Sequence, residues 1–566
     1  MKIIGINYLS ESSVCLLING SIINAISEER INRTKNWYGL PHKTIDFILK
    51  KNNLKAKNID YFVTSGLSSI TNDMPNKYAI SKKIEKIENS KLKKKIKLKQ
   101  INFLNKRSEH ENDVINKRTK KLINKLKNEF GEIVVYDHHL SHAASACYSS
   151  NFKDCICLTI DGWGDNSSAK IFTFSKGKLK EISSTPTIDS LGYFYGSITK
   201  LLGFKPHQHE GKVLGLAAYG DYKKAKNDIY PMISYDNKKK KFNGNYEKGL
   251  YQATFNNRNL KYLTKKYSKK DIAAATQYTL EKVVINCVKN LSKKKINLAL
   301  AGGVFANVKL NQKIKDLKNI KDIFVFPNMG DGGLAVGCAQ LCYYNKTKKI
   351  PKKINNVYFG FSFSDKETIN TIKKNKLNFY KSKFVEKEIA KFLVKDKVVA
   401  HFNSSMEFGP RALGNRSILC SAKDPAINKT LNKKLGRTEF MPFAPIILDK
   451  FAKDYLNINN ELDNYKYMTI TCYCKPLMIS KAPASVHVDK TARPQIVSQK
   501  ENRRLYKILS EYYKLSGVPV LINTSFNMHE EPIVDSPENA VRAFMQGALD
   551  YLAIGPFLVK HPSAQH

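Results

Sequence analysis

The sequence lacks a long hydrophobic run. No uninterrupted apolar stretch approaches the roughly 20 residues that a membrane-spanning helix needs. The first residues, Met1 to Asn7, also lack the long apolar core and small-residue cleavage site of a secretory signal. These absences predict a cytoplasmic protein without a membrane partner.

The cysteines lack the spacing of a zinc ribbon or a redox motif. The ten cysteines occur singly or as Cys155-x-Cys157, Cys338-x3-Cys342 and Cys472-x-Cys474. None of these spacings matches a CxxC site. We interpret them as reduced thiols that pack in the interior.

Acidic residues are few, and arginine is scarce among the basic ones. The chain has 95 Lys and Arg against 49 Asp and Glu, a formal net charge of +46, which by itself suggests a polyanionic partner. Lysine, asparagine and isoleucine are abundant along the whole chain, however, so a compositional bias is the preferred interpretation and a nucleic-acid partner is not expected. Only 12 of the 95 basic residues are arginine, whose planar fork suits phosphate and carboxylate. Six of them lie in motif-like stretches: Arg30, Arg33, Arg411, Arg416, Arg437 and Arg493.

Two copies of one strand pattern predict an α/β fold. At 566 residues the chain is long enough for two large domains. The first copy has predicted strands at Lys2–Asn7, Val14–Ile18 and Ser21–Ser27, with an Asn19-Gly20 turn. The second copy has them at Asp154–Asp161, Ser168–Phe174 and Leu179–Ser183, with a Lys176-Gly177 turn. Such a repeat is typical of the duplicated ribonuclease-H/actin-like architecture, in which nucleotide binds between the halves.

Polar segments suggest the domain limits. The range 81–129 is dense in lysine with Ile and Leu at helical spacing, which predicts an insertion of one or two solvent-facing amphipathic helices. The segment 346–356 is charged and broken by a proline, and is the best linker candidate. We therefore expect domains at 1–350 and 351–566.

A histidine pair indicates a metal site. His138 and His142 lie four residues apart, on one face of an Ala-rich helix, as two ligands to one metal require. His139 stands where a zinc protease would need its glutamate, so that motif does not apply. Asp161 at a strand end and Asp331 in a glycine-rich loop complete a set that suits Fe(II), Mn(II) or Zn(II). Capping or packing histidines are the alternative.

Glycine-rich segments indicate a nucleotide site. Gly302 and Gly303 follow an apolar strand and precede Asn307 and a helix that starts near Val308, so backbone N–H groups can approach phosphate. Gly332, next to Asp331, leaves room for a nucleotide–metal complex. Lys212 follows His209-Glu210-Gly211 and is a candidate to neutralise a phosphate, with a surface ion pair as the ordinary alternative.

The second domain carries clustered arginines and amides. Glu407 to Ser417 places Arg411 and Arg416 among turn-forming residues, as in a phosphate cradle. Further polar candidates are Arg437, Arg493, Asn523, Ser525 and Asn527.

These motifs, taken in order, resemble those of the carbamoyltransferase family that includes the nodulation-factor, cephamycin and tobramycin carbamoyltransferases. The resemblance rests on five segments: Asp137–Ala146, Glu210–Gly220, Ala301–Val304, Glu407–Ser417 and Asn523–Asn527. It implies a Kae1-like N-terminal domain and a YrdC-like C-terminal domain.

The resemblance also implies a chemistry. ATP, with Mg as its counter-ion, and carbamoyl phosphate would give a carbamoyl adenylate in the second domain, and a hydroxyl of a sugar or secondary metabolite would accept the carbamoyl group. A divalent metal, Fe(II) by family likeness, would be held by His138, His142, Asp161 and Asp331, with His138, Asp161 and Lys212 as catalytic candidates. A homodimer is compatible with this picture.

Three departures from the family pattern and two other functions stay open. Ser10-Glu11 stands where relatives carry His-Asp, Ser404-Ser405 replaces Gly-Arg, and Met441 replaces an arginine. A Kae1-like tRNA-modifying enzyme would use the basic charge. An actin-like ATPase or scaffold would explain the departures.

Overall fold

The computed structural model describes residues 1–66, 75–110, 117–245, 258–437, 440–459 and 461–563. Helices and mixed sheets alternate in these ranges, which confirms the α/β class. The chain divides into two compact units, and the main crossing lies between Lys353 and Ile354. The short segments Asn24–Trp37 and His42–Thr44 also belong to the second unit. The assignment of one function to residues 1–350 and another to residues 351–566 stays a prediction. These two ranges do not foresee that Asn24–Trp37 and His42–Thr44 belong to the second unit; we call the first of these segments the N-terminal excursion.

The first unit is built on two five-stranded sheets. The strands of the first sheet are β1 (Lys2–Asn7), β2 (Ser13–Ile18), β3 (Ser21–Ser27), β4 (Tyr61–Ser65) and β5 (Ile133–Tyr136). The later strands of this unit are β6 (Asp154–Gly164), β7 (Ser167–Ser175), β8 (Lys178–Pro186), β9 (Ile233–Asp236), β10 (Lys241–Gly244), β11 (Ile296–Ala301) and β12 (Ile320–Val325). Strands β9 and β10 form a separate hairpin.

Both sheets have the same topology. The first has the order β3-β2-β1-β4-β5, and the second has the order β8-β7-β6-β11-β12. Strand β1 pairs antiparallel with β2 and parallel with β4, just as β6 pairs antiparallel with β7 and parallel with β11. The two tight turns have positive φ at both central residues, Asn19 and Gly20 or Lys176 and Gly177, as a type I′ turn requires. The matching order is what a duplicated unit predicts.

One predicted strand end is wrong. Strand β6 does not stop at Asp161 but continues to Gly164. Its register against β7 shifts between Ile160 and Gly164, so Asp161 lies in an irregular part of the strand. An irregular pairing of this kind leaves no trace in an alternating hydrophobic pattern.

Helices cover both sheets. Those that begin before Lys353 are α1 (Glu28–Asn32), α2 (His42–Lys51), α3 (Pro75–Glu88), α4 (Lys94–His110), α5 (Lys117–Phe130), α6 (His138–Ser149), α7 (Leu191–Leu201), α8 (Glu210–Ala217), α9 (Tyr222–Ile229), α10 (Lys261–Lys266), α11 (Lys269–Lys289), α12 (Val308–Lys315) and α13 (Leu334–Thr347). Within the described residues, none of the helices has the length and apolar character needed to cross a membrane.

The lysine-rich insertion contains three helical ranges rather than one or two. Helices α3, α4 and α5 span it, and residues 111–116 lie outside the described part of the chain. Ile80, Ile87 and Leu104 pack with Ile188 in one buried cluster. The insertion is therefore anchored by apolar contacts, and most of its described lysines face outward, as the helical spacing predicts. Lys83 is an exception, because it is largely buried and pairs with Asp189.

The second unit is built on one eight-stranded mixed sheet. Its strands, in spatial order, are β13 (Phe379–Lys381), β22 (Phe557–Lys560), β21 (Tyr551–Ile554), β14 (Val399–Phe402), β15 (Arg416–Ser421), β20 (Val520–Ser525), β16 (Ala444–Leu448) and β19 (Gln495–Val497). Strands β17 (Cys472–Tyr473) and β18 (Thr491–Ala492) form a small separate pair. The helices are α14 (Asp365–Lys374), α15 (Val385–Val394), α16 (Ala426–Lys434), α17 (Ala452–Tyr455), α18 (Pro476–Lys481), α19 (Arg503–Ser516) and α20 (Pro537–Gln546). The likeness of this unit to YrdC stays a prediction.

Candidate metal centre and phosphate-binding residues

The four predicted metal ligands converge in the first unit. His138 and His142 lie in the first turns of α6, Asp161 in β6, and Asp331 at the start of a 3-10 turn. One donor atom from each lies within 4.8 Å of the donor atoms of the others. Sequence spacing predicts the two histidines as a pair, whereas the fold alone brings both carboxylates to them.

Short distances join the imidazoles to the carboxylates. The Nε2 atom of His142 lies 3.1 Å from Asp161 Oδ2 and 3.6 Å from Asp331 Oδ1. The Nε2 atom of His138 lies 3.5 Å from Asp331 Oδ1 and 3.9 Å from Asp161 Oδ2. Two nitrogens and two carboxylate oxygens thus face one small volume, a donor set that suits a divalent transition metal.

Local structure holds the histidines in place. Asp137 caps α6, and its Oδ1 atom accepts a hydrogen bond of 2.7 Å from the backbone N–H of Leu140. The backbone N–H of His138 donates to Asp165 Oδ2 at 2.7 Å. A Cβ atom on Gly164 would lie only 2.1 Å from Cδ2 of His138. Glycine at position 164 therefore makes the space that the His138 ring occupies.

The cluster is electrostatically coupled. Burial alone would lower the pKa of His142, but the adjacent carboxylates of Asp161 and Asp331 raise it to about 9. Burial alone would raise the pKa of Asp161, but the close approach and positive charge of the two imidazoles hold it well below its usual range. His142 and Asp161 therefore form an ion pair.

Unpartnered polar atoms indicate that a metal fits. Both ring nitrogens of His138 and of His142, together with Asp331 Oδ1, are buried and make no hydrogen bond. Buried polar atoms are almost always satisfied, so their convergence needs an explanation. A divalent cation would satisfy both Nε2 atoms and the facing carboxylate oxygens at once.

His139 has a different role. Its Nδ1 atom lies 2.9 Å from Thr159 Oγ1, and its Nε2 atom lies 3.2 Å from the carbonyl oxygen of Ser167. Burial lowers the pKa of His139 to about 3, so the ring is neutral. It locks α6 onto the sheet and stays outside the cluster.

The glycine segments border the metal cluster. The backbone N–H of Gly303 donates to Asp161 Oδ2 at 3.2 Å. Gly302 has φ +99, and a Cβ there would lie 2.3 Å from the carbonyl oxygen of Ile160. The backbone N–H of Gly332 donates to Glu11 Oε2 at 3.3 Å, so a third carboxylate, at the position where relatives carry aspartate, lies beside this loop.

Asn307 caps helix α12, and Lys212 lies within helix α8. The side chain of Asn307 caps α12 through the N–H of Leu310, as the predicted helix start near Val308 requires, and exchanges hydrogen bonds with Gln277. Its amide is therefore held for a structural purpose. Lys212 lies half-buried on α8. Its role as a catalytic or phosphate-binding residue stays a prediction.

In the second unit, Arg437 forms hydrogen bonds to Ser525 and Asn527, which the sequence predicts as binding residues. Its Nη2 atom donates to the carbonyl oxygens of both residues, at 2.8 and 2.7 Å, and to Asn527 Oδ1 at 2.9 Å. Its Nη1 atom donates to Thr524 Oγ1 at 2.7 Å. Three predicted binding residues, drawn from two distant segments, therefore form one polar group at the end of β20.

Arg416 is built into the interior of the loop that was predicted as a phosphate cradle. It is fully buried, and its Nη atoms donate to the carbonyl oxygens of Asn403, Asn415, Ser404 and Phe361. Its guanidinium also lies 3.7 Å from the centre of the Phe402 ring. With so many protein acceptors, Arg416 shapes the loop, and its predicted role in binding a nucleotide or carbamoyl adenylate stays a prediction.

The loop that precedes Arg416 is organised by an acid. Oε1 of the buried Glu407 accepts the backbone N–H groups of Leu413, Asn415 and Arg416. Asn523 supports the same loop through a hydrogen bond of 2.9 Å to the carbonyl oxygen of Ala412. Sequence reasoning did not assign Glu407 a role, although its place at the start of the turn-rich segment was a usable signal. The two remaining candidates, Arg411 in this loop and Arg493 between β18 and β19, are half-buried.

Comparison with known proteins decides the family. Residues 2–340 match the family described as carbamoyltransferase N-terminus, and residues 390–561 match carbamoyltransferase C-terminus. The chain belongs to the carbamoyltransferase family.

Relatives of this carbamoyltransferase cover nearly its full length. It is 35% identical to an uncharacterized protein of Methanocaldococcus jannaschii, over 98% of this chain and 99% of the relative. It is 29% identical to the nodulation protein NolNO of Sinorhizobium fredii, over 98% of this chain and 80% of that protein. Among solved structures the likeness is weak: HypF of T. kodakarensis has a TM-score of 0.33 and 14% identity, over 61% of this chain and 47% of that one.

The departures from the carbamoyltransferase pattern have structural consequences. Ser404, where relatives carry glycine, has φ +47, a left-handed conformation that glycine adopts at lower cost. The carbonyl oxygens of Ser404 and Ser405 accept from Arg416 and Asn415. The backbone of this turn therefore supports Arg416 and Asn415, while Ser405 supplies no guanidinium at this position.

Proposed function

We propose that this carbamoyltransferase uses ATP and carbamoyl phosphate to form a carbamoyl adenylate and transfers the carbamoyl group to a hydroxyl of a sugar or secondary metabolite. The observation that carries the proposal is the convergence of His138, His142, Asp161 and Asp331 in a chain of this family. The polar group of Arg437, Ser525 and Asn527 supports it independently.

The chemistry balances in two stages. In the first, water converts carbamoyl phosphate to carbamate and phosphate, and a carbamate oxygen displaces pyrophosphate from the α-phosphorus of ATP. In the second, the acceptor hydroxyl attacks the carbonyl carbon of the adenylate, AMP leaves, and the hydroxyl proton passes to a base. AMP is a far better leaving group than the alkoxide of an ordinary carbamate ester. Sequestering the intermediate limits its loss to water.

Chain residues supply the orientation and charge that these stages need. Arg437, whose Nη atoms donate to Thr524, Ser525 and Asn527, would supply positive charge beside a bound phosphate and hold Ser525 in place to contact it. The backbone N–H of Gly303, which donates to Asp161 Oδ2, would orient that carboxylate toward the metal ion. A divalent ion held by His138, His142, Asp161 and Asp331 would polarise nearby oxygens, and family likeness favours Fe(II).

The test is the formation of AMP from ATP by the purified chain, with and without carbamoyl phosphate. We expect wild type to form AMP and pyrophosphate only when carbamoyl phosphate is present, and Ser525→Ala to lower the rate about tenfold, the usual effect of losing a substrate-positioning hydrogen bond. Arg503→Met is the matched control, because Arg503 is exposed. His138→Ala should spare AMP formation and abolish transfer to an acceptor.

Failure would point to another function. If metal-loaded wild type forms no AMP with carbamoyl phosphate, the adenylate route is wrong for this chain. A tRNA-modifying role would then require tRNA binding that persists at physiological salt, where purely electrostatic binding of a cationic protein weakens steeply.

A further inference from the structure

The N-terminal excursion inserts two arginines into the second unit. Arg33 donates to the carbonyl oxygens of Pro532 and Ile533, at 2.7 and 2.8 Å, and its Nη1 atom lies 3.6 Å from Asp535 Oδ1. The backbone N–H of Ala25 donates to the carbonyl oxygen of Phe359 at 3.3 Å. The segment Asn24–Trp37 thus forms hydrogen bonds to the rest of the second unit near both of its ends. Arg30 lies between the two contact points, Ala25 and Arg33.

Arg30 is buried but incompletely satisfied. It is 4% exposed, and its Nη2 atom donates to the carbonyl oxygen of Gly409 at 2.8 Å. Its Nε atom lies 3.6 Å from Glu29 Oε1, whereas the buried Nη1 atom has no hydrogen-bond partner. A buried guanidinium nitrogen without an acceptor is costly, because the desolvation penalty of the charge is not repaid.

Other cations surround Arg30. Burial is the main reason why the pKa of Arg416 falls to about 10, and the positive charge of Arg30 lowers it further, while Glu407 and Asp535 oppose the shift. Burial likewise lowers the pKa of Lys35, Arg437 and Arg30 add to that shift, and Glu29 and Glu530 oppose it. The acids that face this cluster are Glu29, Glu407, Glu530, Glu531 and Asp535, and the cations are Arg30, Arg33, Lys35, Arg416, Arg437 and Arg542.

We propose that Arg30 Nη1, held beside Gly409 by the excursion of the N-terminal chain, binds a phosphate oxyanion of a substrate. A phosphate oxygen would give Nη1 a charge-assisted hydrogen bond and offset the cationic cluster. The identity of the anion rests on the proposed function, in which both carbamoyl phosphate and ATP carry phosphate. The anion site itself rests on the geometry of Arg30.

The experiment measures the affinity of full-length wild type, Arg30→Met and Arg30→Lys for two unreactive probes. Inorganic phosphate represents the donor, and α,β-methylene-ATP, which cannot lose pyrophosphate, represents the nucleotide. We expect Arg30→Met to weaken at least one probe about tenfold, as the loss of a charge-assisted hydrogen bond does. The probe that is weakened identifies the source of the phosphate. Arg503→Met removes an exposed arginine of the same size and should leave both affinities unchanged.

A purely structural role would give a different result. If Arg30 only fastens the Gly409 loop, Arg30→Met will lower the ligand-free unfolding midpoint while both dissociation constants stay within twofold of wild type, and the proposal falls. If Arg30→Met does not fold, Arg30→Lys keeps the charge but lacks the planar fork. A loss of at least threefold in affinity for either probe then supports the proposal, and unchanged affinity overturns it.

The outcomes separate this inference from the proposed function. Weakened phosphate binding in Arg30→Met, in a wild type that forms no AMP, keeps the anion site and removes the adenylate chemistry. AMP formation by wild type, together with unchanged probe binding in Arg30→Met, keeps the adenylate chemistry and removes the anion site at Arg30.

Discussion

Arg416 shows how a residue with the right chemistry for phosphate can serve the fold. Its Nη atoms already donate to four backbone carbonyl oxygens, one of them buried and three partly buried, and removing the side chain would take away this donor from all four. We expect Arg416→Met to lower the free energy of unfolding by about 3–5 kcal/mol, the usual cost of removing one member of a buried charged network. Urea denaturation of the purified variants measures this.

The same denaturation series contains its own control. Arg503→Met should change the free energy of unfolding by no more than about 0.5 kcal/mol, because the side chain is exposed. An Arg416→Met protein as stable as wild type that nevertheless fails to form AMP would return Arg416 to the substrate-binding residues.

The His142 ring gives the metal-free protein a characteristic pH dependence. Its folded pKa of about 9 lies above the ordinary value of 6.5, because the carboxylates of Asp161 and Asp331 outweigh burial. The stabilisation that protonation supplies is therefore complete below pH 6.5 and is lost as the pH rises through 9. We expect the urea midpoint of the chelated protein to fall between pH 6.5 and 9, and His142→Asn to remove most of that slope.

Metal should reverse the trend. Binding displaces the proton from His142, so metal affinity should rise over the same pH range. If the urea midpoint of the chelated wild type does not change with pH, and that of His142→Asn does not change either, the ion pair does not form.

At the scale of elements, the metal cluster depends on how closely β6 approaches α6. A Cβ on Gly164 would lie 2.1 Å from the His138 ring, whereas a Cβ on Gly162 would meet nothing within 4 Å. We expect Gly164→Ala to displace the ring and weaken metal binding by about 10–100-fold, the range seen when residues that orient a ligand are changed. Gly162→Ala, in the same strand, is the matched control and should bind metal as wild type does. Equal affinity in both variants would remove Gly164 from the support of the site.

The elements also show what the sequence could predict. The meanders and the start of α12 follow from local patterns, such as the type I′ turns at Asn19-Gly20 and Lys176-Gly177 and the cap supplied by Asn307. The histidine spacing likewise predicts α6. The extension of β6, the third helix of the insertion and the excursion of Asn24–Trp37 depend on contacts between residues far apart in sequence, which local patterns do not contain.

For the candidate site, residue type proved easier to predict than role. Asp161 and Asp331 were found as acids near glycines, and the fold brings them to the histidines. Arg416 and Asn307 were found as polar residues in motifs, but their partners are backbone and side-chain groups of the protein. The sequence cannot show which polar side chain will be satisfied internally, because that depends on where the carbonyl groups of other segments lie.

At the scale of the whole molecule, the division into two compact units predicts separable thermal behaviour. Apart from β3, whose residues Asn24–Ser27 belong to the second unit, the strands of each sheet come from one unit, and the four metal ligands lie in the first. A ligand that binds only the folded form stabilises it by about 2.7 kcal/mol at a concentration 100 times its dissociation constant. Calorimetry of the full chain should therefore show two transitions, of which metal raises one. His138→Ala should abolish the shift of that transition and leave the other in place. A single transition that metal shifts as a whole would mean that the two units unfold as one cooperative structure, because stabilisation of the first unit would then be transmitted to all of the second.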